Sequence, residues 1–149
     1  NETSKIAAEV ADELGDEYRI IYKLHPKEFS FYKERYPWLK DKKLEIIDTI
    51  DYHIFRYLAE SKITVSTCSA SVWESIGFGC GTVLLDINET GKNMPYLSEG
   101  QHVPLVTTAR EVVDIIRNHR EGYVDPESIF EPDSLKNICD FIDSFLQTK

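Results

Sequence analysis

The sequence has no long hydrophobic run and no excess of positive charge. No apolar stretch approaches the roughly 20 residues that span a bilayer, and the first five residues do not have the basic-then-apolar order of a secretory signal. The formal net charge of −9 argues against a nucleic-acid platform, because binding to a phosphate backbone needs clustered Lys and Arg. We therefore expect a soluble, cytoplasmic protein with no nucleic-acid partner. The chain does not begin with Met, which fits a fragment of a longer protein.

Cysteine is scarce, and the histidines are scattered. The three cysteines form no CxxC pair, and an odd number favours a reducing compartment and buried structural thiols. They are Cys68, Cys80 and Cys139. Apart from His25, the histidines are His53, His102 and His119. They do not have the close spacing of a metal-ligand set, so we predict neither a metal site nor a cofactor.

Three common motifs of α/β enzymes are also missing. The sequence contains no GxGxxG after a strand and no GxxxxGK[ST], which argues against ordinary dinucleotide and P-loop sites. Ser75-Ile76-Gly77 is not a nucleophile elbow, because this serine is predicted inside a helix and not at a strand-to-helix turn.

What remains is an alternation of short apolar strands with amphipathic helices over one domain, residues 1–149. The predicted strands are Tyr18–Leu24, Leu44–Ile47, Ile63–Ser66, Thr82–Ile87 and Val103–Thr107. The predicted helices are Ser4–Leu14, stopped by Gly15, and then Phe29–Tyr36, Tyr52–Ser61, Ser71–Phe78 and Ala109–His119. This order predicts an α/β fold with a doubly wound, Rossmann-like and mainly parallel sheet of about five or six strands, covered by helices on both faces.

A last helix is predicted near the end of the chain. Its apolar face carries Leu135, Ile138, Phe141, Ile142 and Phe145. We expect this face to pack on the sheet or on a domain that is absent here.

A basic segment follows the first predicted strand. Lys23, His25 and Lys27 lie at the carboxyl end of that strand, and Pro26 stiffens the turn. Lysines supply positive charge, and an imidazole can donate a proton or a hydrogen bond to phosphate near neutral pH. The segment is therefore a candidate phosphate site. The alternative is a strand-end histidine that is hydrogen-bonded to the backbone and flanked by two solvated lysines.

Hydroxyl groups cluster after the third predicted strand, where a helix begins. They belong to Ser66, Thr67, Ser69 and Ser71. Hydroxyls and the free N–H groups of a helix start can hold phosphate without a metal. Glu74, one turn on, can accept hydrogen bonds from a ribose diol, as acidic residues do in dinucleotide sites. The alternative is structural, because Ser71-x-x-Glu74 has the spacing of a capping box in which Ser71 caps the helix.

Two short motifs resemble the C-terminal, nucleotide-binding domain of GT-B glycosyltransferases. Polar hydroxyls, Ser71-x-x-Glu74, a short helix, a glycine and the strand Thr82-Val83-Leu84-Leu85 are similar to the donor-site signature of that family, with Gly81-Thr82 in place of the common Gly-Pro. Lys23-Leu24-His25-Pro26 resembles the His-Pro motif of bacterial sialyltransferases, polysialyltransferases and teichoic-acid glycerophosphotransferases. The similarity runs from about Tyr18 to Arg120.

The resemblance implies a domain that binds a nucleotide-activated sugar or polyol phosphate donor for bacterial surface polysaccharide or glycan synthesis. His25 would act on the donor phosphate, helped by Lys23, Lys27 and the hydroxyls of residues 66–71, and Glu74 would bind ribose or sugar hydroxyls. The glycan acceptor and the general base would come with an N-terminal domain missing here, so the isolated domain is expected to be inactive. Peripheral membrane association of the full-length protein is a further option.

Two other functions stay open at this point. One is a non-catalytic, flavodoxin-like or receiver-like α/β module that binds a partner, although receiver domains need clustered acids at strand ends and the first strand here ends in Lys-Leu-His-Pro. The other is half of a sugar-nucleotide 2-epimerase, which has the same half-fold and needs carboxylates in the cleft from both of its domains.

Overall fold

A computed structural model of the chain describes residues 2–50, 54–101 and 103–147, with side chains up to residue 144. The strands are β1 (Ile21–Lys23), β2 (Glu45–Ile47), β3 (Ile63–Ser66), β4 (Gly81–Leu85) and β5 (Leu105–Val106). The α-helices are α1 (Glu2–Leu14), α2 (Tyr32–Arg35), α3 (Ile54–Glu60), α4 (Ala70–Gly77), α5 (Thr90–Asn93), α6 (Ala109–Arg117) and α7 (Ser134–Gln147). Strands and helices alternate, so the α/β class predicted from the sequence is confirmed.

The described strands form two small sheets, and both are parallel throughout. β1 pairs with β2, and β4 lies between β3 and β5. The prediction of one sheet with about five or six strands is wrong, because no ladder of hydrogen bonds joins β1 to β3 in the described residues. β1 and β2 have only three residues each. Apolar patterning predicts which residues are extended, but it carries no information on whether two such segments come within hydrogen-bond distance.

Helices cover both faces of the three-stranded sheet. All five residues of β4 are buried. Val83 and Leu85 pack in one apolar cluster with α1 and α6, while Leu84 packs in a second cluster with α4. Near-continuous burial on both faces explains why this strand could be predicted from its apolar run alone.

Helix α1 belongs to the cores of both sheets. Leu14 packs in the cluster that contains β4 and α6, and Ala8 packs in a third cluster with Leu24 and Tyr32, beside the two-stranded sheet. Gly15 follows the helix as predicted. A Cβ on that residue would lie 2.5 Å from both the Ala11 carbonyl oxygen and the Lys43 Cβ, so the close approach of residue 43 requires glycine.

The fifth strand is shorter than the predicted Val103–Thr107. Pro104 has no N–H and can only accept, from the Leu84 N–H at 2.8 Å. At the amino end of β4 the free edge is filled by Gly122, whose N–H and C=O exchange hydrogen bonds with Thr82 at 3.0 and 2.7 Å. This contact is close, because a Cβ on Gly81 would lie 2.5 Å from the Glu121 Cγ.

Three predicted helices are shorter than their patterns, and the last of them, Ala109–His119, contains α6, which ends at Arg117. The Phe29–Tyr36 pattern contains only α2, preceded by a 3₁₀ turn at Pro26–Glu28. The Tyr52–Ser61 pattern contains α3, and its first two residues lie outside the described part of the chain. Pro37 limits α2 at its carboxyl end, because proline disfavours helical backbone in the residue before it.

Helix α7 does not pack on either sheet. Its apolar residues have exposed fractions between 50% and 76%. They are Leu135, Ile138, Phe141 and Ile142, while the Phe145 side chain lies outside the described part. Of the two alternatives expected for this face, packing on the sheet is wrong, because α1, α6 and α4 already cover both faces of the larger sheet, and packing on another domain stays a prediction. None of the helices that the structure describes is long and apolar enough to cross a membrane.

Candidate functional site

The candidate site consists of two turns, each of which follows the carboxyl end of a parallel strand. The basic turn (residues 23–28) follows β1, and the serine turn (residues 66–71) follows β3. Parallel α/β sheets bind ligands at this edge, because the loops and helix N-termini there present free N–H groups. The two strands belong to different sheets, and no hydrogen bond, ion pair or ring contact joins one turn to the other among the described residues.

His25 caps the 3₁₀ turn that begins at Pro26. Its Nδ1 accepts a hydrogen bond from the Lys27 N–H at 3.2 Å, and its own N–H donates to the Glu28 Oε2 at 3.1 Å. The backbone hydrogen bond that the structural alternative expects for this histidine is therefore present, although Lys23, which that alternative places in solvent, is half-buried. A neutral imidazole that accepts at Nδ1 carries its proton on Nε2. Because the residue is exposed, Nε2–H stays free to donate to a ligand.

Glu28 was missed by the sequence analysis, and it holds the basic turn to the core. Its Oε1 accepts a hydrogen bond at 2.6 Å from the phenol of Tyr36, which is only 5% exposed. The charge of Glu28 also acts on Tyr22 in β1. Burial is the main cause that raises the pKa of the Tyr22 phenol, and the negative charge of Glu28 raises it further. The signal was present in the sequence as His25-Pro26-x-Glu28, which has the spacing of a capping box with proline in its first position.

The two lysines of the basic turn have no carboxylate partner in the described residues. The Lys23 ammonium lies 5.6 Å from the centre of the Phe29 ring, and Lys27 is exposed. Neither ammonium is paired with a carboxylate within the described part of this acidic chain, so both can interact with an anionic ligand.

Helix α4 begins one residue before its predicted start, and Ser69 is its N-cap. The Ser69 backbone is extended, with φ −151° and ψ 149°, and its Oγ accepts from the Ser71 N–H at 3.3 Å. Ser71 lies inside the helix, so the capping box of Ser71 and Glu74 is a wrong prediction. With Ser69 as the N-cap, a capping box would need a carboxylate at the third helical position, which is residue 72. That residue is valine.

With Ser69 as the cap, the Glu74 carboxylate has no structural partner in the described residues. Its side chain is half-buried, and its carboxylate makes no hydrogen bond or ion pair within the part of the chain that the structure describes. A carboxylate in this position can accept hydrogen bonds from the hydroxyls of a ligand.

The serine turn presents both hydroxyls and N–H groups. The Ser69 and Ser71 Oγ atoms lie 3.0 Å apart, and the Ser66 hydroxyl donates to the Thr67 carbonyl at 3.3 Å. Of the first helical N–H groups, that of Ser71 is taken by the Ser69 hydroxyl and that of Val72 by the Ser69 carbonyl. The Ala70 N–H has no acceptor in the described residues, so it is available to an anion together with the helix dipole.

Thr90 is a second residue that the sequence analysis missed. It is the first residue of α5, directly after the loop that follows β4, it is fully buried, and its Oγ1 accepts from the Cys68 N–H at 3.2 Å. The serine turn is therefore fastened to the loop of the neighbouring strand. No periodicity could indicate this bond, because its partners are 22 residues apart.

The carboxyl end of β5 is occupied by a complete capping box. Glu111 Oε2 accepts hydrogen bonds from the N–H groups and hydroxyls of both Thr107 and Thr108, at 2.7 to 3.2 Å. The Thr108 hydroxyl, with the Thr107 N–H as second cause, holds the pKa of Glu111 below its ordinary value of 4.5. The donors of Thr107 and Thr108 all bond to the Glu111 carboxylate, so this strand end has a structural role.

The cysteines differ from one another in burial. Cys80 is buried and its Sγ lies 3.4 Å from the Leu58 and Ser61 carbonyl oxygens. Burial raises the pKa of this thiol. Cys68, in the serine turn, and Cys139 are exposed, so the expectation of three buried thiols is wrong for these two.

No described group of three or more His, Cys, Asp or Glu side chains is arranged to hold a metal ion. His53 and His102 lie outside the described residues. Comparisons of the chain with protein-family models, with curated proteins and with solved structures found no match.

Proposed function

We propose that this chain is the donor-nucleotide-binding domain of a metal-independent glycosyltransferase of bacterial surface polysaccharide or glycan synthesis. The observation that carries the proposal is the serine turn. A helix start with an unoccupied N–H at Ala70 and paired hydroxyls at Ser69 and Ser71 stands beside a Glu74 carboxylate that has no partner in the described residues. Phosphate and a diol are the two ligand groups that these donors and acceptors would complement.

In this proposal each part of the donor has its own contacts. The diphosphate or phosphate lies on the Ala70 N–H and on the hydroxyls of the serine turn, and the Glu74 carboxylate accepts from the ribose or sugar hydroxyls. Lys23, Lys27 and His25 Nε2–H stabilise the negative charge that builds on the departing nucleotide. Fixed donors of this kind stabilise a leaving group without reorganisation, which is the main electrostatic requirement of the transfer.

The proposal needs a second domain for the acceptor and for the general base. The isolated chain would therefore bind the nucleotide weakly and would not turn it over. The proposed half-fold also occurs in sugar-nucleotide 2-epimerases, so it does not determine the reaction. Donor binding is therefore the property to test first.

The first test is a titration of the isotope-labelled chain with CMP, CDP, UMP and UDP, followed by NMR. We expect saturable shifts at residues 23–28 and 66–74 that persist in EDTA, because the phosphate contacts are direct. Ser69→Ala should weaken binding, whereas Ser61→Ala should not. Ser61 is the matched control: it precedes the same strand β3 at its opposite end, and its hydroxyl donates to the Tyr57 carbonyl at 2.7 Å.

Three results would contradict the proposal. Absence of binding at millimolar nucleotide would remove the donor site. Shifts confined to residues outside both turns would place a ligand elsewhere and favour a different binding module. Loss of binding in EDTA would leave a nucleotide site but disprove the metal-independent contacts.

A further inference from the structure

The segment after β4, a loop of residues 86–89 followed by α5, is joined to the serine turn by one buried hydroxyl at the start of α5. Thr90 Oγ1 accepts from the Cys68 N–H at 3.2 Å and donates to the Ile87 carbonyl at 2.7 Å. The residue is 0% exposed, so water cannot replace either partner. A hydroxyl has one hydrogen to donate, and here it is used within the loop while an oxygen lone pair holds the turn.

The same loop has an unusual backbone. Asn88 and Glu89 both have left-handed conformations, with φ of 54° and 61°, which asparagine tolerates but which cost energy for glutamate. The loop is closed by the Asp86 Oδ1, which accepts from the Gly91 N–H at 3.0 Å. A conformation of this kind persists when surrounding contacts hold it, and the bonds of Thr90 and Asp86 are such contacts.

We infer that Thr90 is a positioning residue of the donor site, which rests on the function proposed above. By engaging the Cys68 N–H it sets the direction of the serine turn, so that the Ser69 hydroxyl and the Ala70 N–H converge on one phosphate. Thr90 itself is buried and does not touch the ligand. Its hydroxyl acts through the backbone of residue 68, and small displacements of oriented donors weaken the binding of an anion.

The experiment compares Thr90→Val, which keeps the shape and removes the hydroxyl, with Thr90→Ser, which keeps the hydroxyl. Thr82→Val is the matched control, because Thr82 is 1% exposed and its hydroxyl bonds to the Cys80 carbonyl at the other end of β4. Each variant is titrated with the nucleotide that binds the wild-type chain best. Hydrogen exchange of the Cys68 amide and urea unfolding are measured on the same samples.

We expect Thr90→Val to raise the nucleotide Kd by about fivefold or more, because the displaced donors of the serine turn hold the phosphate less well, and to speed exchange at the Cys68 amide. Thr90→Ser should retain the wild-type Kd, and so should Thr82→Val even though it also loses stability. A Kd unchanged in Thr90→Val would overturn the inference, as would an equal loss in Thr82→Val.

The inference and the proposed function fail in different ways. If the wild-type chain binds none of the four nucleotides, the proposed function falls and the role of Thr90 in a donor site falls with it. If the wild type binds and Thr90→Val binds equally well, only the inference is wrong. If Thr90→Val does not fold, two other measurements test the role of the hydroxyl. An unprotected Cys68 amide in the wild type contradicts that role, and so does a higher nucleotide Kd in Thr90→Ser.

Discussion

The Lys27 N–H donates to the Nδ1 atom of His25 at 3.2 Å. This bond gives the histidine a structural role, as the cap of a turn, and it leaves Nε2–H exposed for a second one. The two roles use different atoms of the same ring, so they can be separated by substitution.

His25→Ala should lower the free energy of unfolding by about 0.5–1 kcal/mol, because a cap acceptor is lost. His25→Asn should restore that stability, since an amide oxygen can accept from the same N–H. If Nε2–H binds phosphate, both variants should bind nucleotide more weakly than the wild type. Urea unfolding and nucleotide titration of the three proteins measure the two effects. A His25→Asn variant with wild-type affinity would show that the histidine is only a cap.

Ser69 and Ser71 should differ in their contributions to stability. Ser69→Ala removes the N-cap of α4 and should cost about 0.5–2 kcal/mol of unfolding free energy. Ser71→Ala removes a hydroxyl inside the helix and should change stability by less than about 0.5 kcal/mol. Thermal and urea unfolding of the two variants provide the comparison. A larger loss in Ser71→Ala than in Ser69→Ala would contradict the observed helix start.

Glu74→Gln should weaken nucleotide binding by about 1–3 kcal/mol, the scale of a hydrogen bond to a charged group. The melting temperature should stay close to that of the wild type, because the carboxylate has no partner in the described residues. Calorimetric titration and a thermal scan on the same variant measure both quantities. Unchanged affinity with a lower melting temperature would assign Glu74 to the fold and remove it from the site.

Glu111 should make the stability of the chain depend on pH below neutrality. Its folded pKa is lowered below 4.5 mainly by the Thr108 hydroxyl, so its contribution is fully present above the unfolded value and is lost as pH falls through the folded one. Glu111→Gln should therefore be less stable than the wild type at pH 7, and the difference should shrink in acid. Urea unfolding from pH 7 to pH 3 measures this difference. In a Thr108→Ala background the effect of Glu111→Gln should be smaller, and an equal effect would contradict the assigned cause.

Local patterns in the sequence were sufficient for the elements whose burial is periodic or continuous. β3 was predicted with its observed bounds, Ile63–Ser66, and α1 with its observed last residue, Leu14. The apolar face of a helix and the double-sided burial of a central strand are properties of neighbouring residues, so a single sequence contains them.

The positions of both candidate turns also follow from the sequence alone, because each turn comes directly after a strand. Ser69 as the cap did not follow, since two serines two residues apart were both compatible with a helix start, and the choice depends on which residue keeps an extended backbone. The capping role of Glu28 was present in the spacing from His25, but its bond to Tyr36 depends on how α2 packs.

Only the tertiary structure decided how the strands pair and which groups remain free. The separation of β1 and β2 from β3, β4 and β5 depends on distances between backbones far apart in the chain, and the same is true of the bond between Thr90 and Cys68. Hydrogen bonds act over about 3 Å. Two segments with identical patterns can therefore pair or fail to pair when the distance between their backbones changes slightly. The sequence determined what each segment would be, and packing determined which segments meet.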